Sequence, residues 1–146
     1  MWYNLLVPTN SRGPFFMTAM SDFLENAVLD QVLRGVAYPG GTTIWAALFT
    51  APTVDSTVAQ GEVVGGNYAR VQVPTWDPAA SGQTSNSVPV SFNAATFPWG
   101  TVTHFALFDD QVTGNLLYHG PLTVPRTVNA GDTFVFPAGN ITISHD

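Results

Sequence analysis

His104, Asp109 and Asp110 are the residues whose types could do chemistry, and all three lie in one run, WGTVTHFALFDD at 99–110. An imidazole held by a carboxylate acts as a general base when a nucleophile lies within hydrogen-bond reach. Five residues along an extended strand span roughly 16 Å, so His104 and Asp109 meet only where the chain doubles back. The sequence has no Gly-x-Ser-x-Gly elbow to supply a nucleophile. The expectation is a strand histidine hydrogen-bonded to a neighbour, followed by an Asp-rich turn.

Other constellations are equally spare. His104, His119 and His145 are far apart and show no His-x-His spacing, so a cupin-like metal site has no compact ligand set. The stretch from Asp109 to Asn115 offers oxygen ligands and a glycine bend, but lacks the alternating acids and terminal Glu of a calcium loop. It reads as a hairpin turn with Thr113-Gly114-Asn115 at its tip. Asn140-Ile141-Thr142 matches a glycosylation sequon, here a chance match within a strand. Trp45, Trp76 and Trp99 could stack on sugars, although such side chains ordinarily fill cores or interfaces. No cofactor and no metal are expected, and no enzyme.

The elements that must position these residues begin with composition. The 146 residues suit one domain. Charged residues are only 10 % of the chain, against roughly 25 % in an ordinary soluble domain. There is no lysine, and the cations are Arg12, Arg34, Arg70 and Arg126. So uncharged a surface implies burial against partners. The net charge of −6 argues against nucleic acid and against an anionic membrane surface. No apolar run approaches the ~20 residues of a membrane span. The N-terminus lacks the basic start of a signal peptide, and the absence of cysteine leaves the redox compartment open.

Residues 1–20 read as an extended arm, apolar at MWYNLLV and FFMTAM with a turn-forming PTNSRGP between. Trp2, Tyr3, Leu5, Leu6, Phe15 and Phe16 are its candidate partner-binding residues. Residues 21–146 read as a helix followed by a β-domain. The spacing predicts a helix over 22–34, capped by Ser21 or Asp22 and stopped by Gly35. Leu24, Val28, Gln31 and Val32 mark its inward face, widened by Phe23 and Ala27. Strands are predicted at 43–49, 68–73, 88–93, 102–108, 116–119, 133–136 and 141–144, with turn residues between them. Pro121 and Pro125 suit 120–128 to a sheet edge. Strict alternation puts Val102, His104, Ala106 and Phe108 on one face and Thr103, Phe105 and Leu107 on the other. The fold class is mainly β: an antiparallel, jelly-roll-like β-sandwich with one N-terminal helix.

Three pieces carry a resemblance: GNYAR at 66–70, WGTVTHFALFD at 99–109, and the NAGDT and AGNITI stretches near the end. In this order and spacing, over residues 20–145, the chain resembles a family of small structural proteins of tailed bacteriophages. Members are often described as tail fibre proteins, and some as capsid decoration (cement) proteins. The resemblance implies a β-sandwich, a virion location and no catalysis. The function expected from it is capsid decoration on the exterior of the shell, with the major capsid protein and other copies of the chain, in a homotrimer, as partners. A tail fibre or baseplate component binding host glycan through Trp76 or Trp99 is the alternative.

Overall fold

The computed structural model describes residues 16–17, 19–52 and 61–145, with the backbone alone at 16–17. Trp2, Tyr3, Leu5, Leu6 and Phe15 lie outside the described residues, as does the side chain of Phe16. The elements in chain order are β1 (Phe16–Met17), β2 (Ala19–Met20), α1 (Asp22–Arg34), β3 (Ile44–Phe49), β4 (Val71–Val73), β5 (Gln83–Ser85), β6 (Val90–Ser91), β7 (Gly100–Phe108), β8 (Leu116–Val128), β9 (Val135–Phe136) and β10 (Thr142–Ser144).

The sandwich has a five-stranded sheet, ordered β2-β8-β7-β3-β4, as one layer. The ribbons β1-β10-β5 and β6-β9 face it as the other. All pairings are antiparallel except β1 with β10. The core between the layers draws Ala46 and Leu48 from β3, Phe105 and Leu107 from β7, Phe136 from β9 and Ile143 from β10. Phe92, Phe105, Phe134 and Phe136 form a chain of ring contacts, with centroids 5.0–6.2 Å apart. Asn86, fully buried, pegs the small ribbons together. Its amide donates to the carbonyls of Val88 and Pro137 at 2.8 and 3.0 Å, and its Oδ1 accepts from Ile141 N–H at 2.8 Å.

The WGTVTHFALFDD strand, β7, is the middle strand of the large sheet and is apolar on both faces. The face assignment needs one correction. Val102 shares the inner core with Phe105 and Leu107, while Ala106 and Phe108 lie in a second cluster on the outer face. The cause is a register shift: Val102 opposes Arg126 but His104 opposes Pro121, so β8 carries extra residues there and the alternation slips. The 120–128 stretch belongs to this long strand. Among the described residues, one side of β8 has no paired strand beyond the short pairing of β2 with Tyr118 and His119, and prolines are tolerated at such an edge.

Ser21, not Asp22, is the helix cap. Its Oγ accepts from Leu24 N–H at 3.2 Å. The same hydroxyl donates to the Leu116 carbonyl, and Ser21 N–H donates to Leu117 O at 2.9 Å, so the cap also fastens α1 to β8. Gly35 ends the helix in the left-handed region at φ 69°.

Candidate functional site

The residues that suggested chemistry are brought to one sheet but not into a catalytic unit. His104 Nδ1 is 2.8 Å from its neighbour's hydroxyl, Thr103 Oγ1. Asp109, at the far end of β7, accepts from Asn115 N–H at 2.6 Å, Asn115 Nδ2 at 2.9 Å and Gly41 N–H at 3.2 Å. Asp110 Oδ1 accepts from the N–H groups of Val112 and Thr113 at 2.9 and 3.1 Å, which holds its carboxyl below the usual carboxylate range. The carboxylates are thus turn closers, and the calcium-loop oxygens are engaged by the turn's own donors.

The histidines separate in the same way. His104 opposes Pro121 and His119 opposes Ala106, so His104 and His119 are diagonal neighbours on the outer face. His145 is elsewhere, with Nε2 2.9 Å from Tyr118 Oη. Among the described residues, no three His, Cys, Asp or Glu side chains gather as a metal site requires. Burial, then repulsion from His119, lowers the His104 pKa from its ordinary value. A histidine with a lowered folded pKa stabilises the fold when neutral. That contribution is complete above the unfolded value of about 6.5 and is lost as pH falls through it. The thermal midpoint should therefore drop between about pH 7.5 and about pH 5.5, and His104→Gln should flatten the drop. A slope unchanged by the substitution would assign the pH dependence to other groups.

The three tryptophans do not form a sugar platform. Trp99 is buried, donates from Nε1 to Gly66 O at 3.0 Å and meets Tyr68 edge-on at 5.4 Å. Its ring belongs to the core, the ordinary role of such a side chain, and is not free to stack on a sugar. Trp45 pairs with Phe108, one residue from Ile44, which packs on the inner core, so Trp45 faces outward. Trp76 is half-buried at one end of the sandwich.

The GNYAR stretch is a buttress. A Cβ on Gly66 (φ +56°) would meet Trp99 Nε1 at 2.8 Å, so only glycine fits beside that ring. Tyr68 Oη accepts from Leu48 N–H at 3.0 Å and donates to Glu62 Oε1 at 2.9 Å. Burial beside that carboxylate pushes its pKa far up. Arg70 holds Glu62 through Nε and Nη2, both at 2.8 Å, and reaches the carbonyls of Thr113 and Asp110 through Nη1 at 2.7 and 3.3 Å. Its guanidinium also lies 3.5 Å from the Phe108 ring centroid. Sequence reasoning passed over Arg70 and Glu62; the signal was a rare cation within an apolar stretch.

Among the described residues, α1 carries a row of exposed apolar side chains. Only Leu24 and Ala27 of the expected inward face are buried, with Phe23 half-buried. Val28 and Leu29 are exposed, Val32 and Leu33 are 74 % and 75 % exposed, and Val36 continues the apolar surface past Gly35. This corrects the expected burial of Val28 and Val32. The cap fastens only the first turns to β8, and exposure rises along the helix. Residues i, i+1, i+4 and i+5 lie together on one helix face, so these four side chains form one ridge. Isolated apolar residues are ordinary on a surface, whereas a contiguous ridge marks a contact site.

A family model described as Podophage GP4 fiber I protein gp80 matches residues 19–144. No curated protein matches the chain. The match takes in α1, every strand from β2 to β10, the GNYAR buttress and the central strand. On that match the chain belongs to the Gp80 family, whose model bears the name of the podophage GP4 fiber I protein.

Proposed function

We propose that this protein is a non-catalytic module of a phage virion fibre, assembled as a homotrimer by burial of the α1 ridge between copies. The observation that carries this reading is the row Val28, Leu29, Val32 and Leu33, exposed on a domain with only 10 % charged residues. Closed symmetric association is the common way to bury such a patch. The fibre description of the matching family favours a fibre over a shell position. The apolar arm, with Trp2, Tyr3, Leu5, Leu6, Phe15 and Phe16, supplies a second attachment to a neighbouring subunit. In the capsid-decoration reading the same surfaces grip the major capsid protein.

Copy number per purified particle separates the two. A fibre component is expected at a few copies per fibre, in multiples of three, and localised at fibres by labelled antibody. Hundreds of copies spread over the shell would overturn the fibre position and restore capsid decoration.

A further inference from the structure

His119 Nε2 is buried and, among the described residues, has no hydrogen-bond partner. A buried polar atom left unmet calls for an explanation. The ring stands on the outer face of the large sheet between two alanines, Ala106 of β7 on one side and Ala19 of β2 on the other. His104 is its diagonal neighbour, close enough that His119 disfavours a charge on it. The surrounding elements bring no titratable group inward to share a proton. β1 and β2 contain none. The buried residues of α1, Leu24 and Ala27, are apolar; its Asp22 and Glu25 are exposed, and Asp30 pairs with Arg34 at 2.7 Å. On β3, Phe49 opposes His104, and Glu62 beyond it is held by Arg70. Tyr118 is paired with His145.

A neutral imidazole can leave one nitrogen unmet. An imidazolium has two N–H donors, and a charged donor left unmet is costlier than a neutral one. A proton on His119 therefore requires Nε2 to reach water and the ring to leave its place between the alanines. β2 decides what that movement disturbs. Its pairing with β8, at Ala19 and Met20, is the shortest among the described pairings of this sheet. It runs directly into Ser21, whose N–H donates to Leu117 O and whose hydroxyl fastens α1 to β8. We propose that the His104–His119 pair is an acid-sensitive latch: proton uptake turns the His119 ring out to water, and β2 with the first turn of α1 comes away from β8. Near neutral pH the latch is shut and α1 is held to the sheet. Below the usual histidine value of about 6.5 it opens.

Backbone amide hydrogen exchange of the full chain tests this, corrected for the intrinsic effect of pH. Between about pH 7.5 and about pH 5.5, protection of the Ala19, Ser21 and Leu24 amides should fall by about threefold to tenfold, the linkage of one histidine proton. The amides of Ala46 to Leu48 and Phe105 to Leu107 should keep their protection. The ring protons of His119, followed by NMR, should titrate with the same midpoint as the amides. His119→Gln takes up no proton, so protection at Ala19, Ser21 and Leu24 should then be independent of pH. Protection that is unchanged with pH, that falls in every strand alike, or that falls equally in His119→Gln would overturn the proposal. So would a ring titration whose midpoint lies apart from that of the amides, and this reading of the native chain decides the matter even where the variant does not fold.

Discussion

Replacing Arg70 by alanine is expected to destabilise the fold by about 3–5 kcal/mol, the cost of breaking a buried ion pair from one side. The side chains of Arg70 and Glu62 are only 8 % and 16 % exposed, so solvent screens the pair little. Without the guanidinium, the Glu62 carboxylate keeps only the Tyr68 hydroxyl among these partners, and the Asp110 and Thr113 carbonyls lose a shared donor. Phe108 also loses its cation. For a domain of this size the melting temperature should fall by the order of 10 °C. Arg70→Lys should recover little, because an ammonium cannot reproduce the two-pronged contact. The double variant Arg70→Met with Glu62→Leu should be more stable than Arg70→Ala, since it removes the stranded charge as well. Urea denaturation of the three variants checks this; a loss below about 1 kcal/mol for Arg70→Ala would place the pair among weak surface bridges.

The buttress also explains what a family motif can mean physically. GNYAR drew attention as a signature of kinship, and each of its distinctive residues proves structural. Gly66 admits the Trp99 ring, Tyr68 bridges a strand N–H to Glu62, and Arg70 ties two loops to the outer face of the sheet.

Local signals were legible where local forces decide. The helix over 22–34 and its stop at Gly35 follow from capping and periodicity, and both are found. So are β3 and β7, whose apolar runs admit little else. β5 was not legible, because Gln-Thr-Ser carries no hydrophobic pattern and is a strand only through pairing with β10. The slip that moves Val102 to the inner face depends on extra residues in a different strand, so alternation within β7 could not reveal it. The site was misread for a related reason. Val28 and Val32 look like core residues at helical spacing, but spacing shows only that a face is apolar. Whether the parent domain or another chain covers that face depends on where the helix is fastened, and here the fastening is at Ser21.

Replacing both Val32 and Leu33 with glutamine is expected to abolish self-association while leaving the fold intact. Both side chains are mostly exposed, so the domain loses little internal packing. Glutamine is a good helix former, so α1 itself should persist. Full burial of a Val or Leu side chain is worth about 1.5–3 kcal/mol, and the change removes two from each copy, so association should weaken by roughly a hundredfold or more. Sedimentation equilibrium of the full chain tests the account most directly. It predicts a mass about three times the 15.6 kDa of one chain for the native protein, and a single-chain mass for Val32→Gln/Leu33→Gln with an unchanged melting profile. A native protein that remains a monomer at tens of micromolar, or a variant that associates as strongly as the native chain, would contradict it.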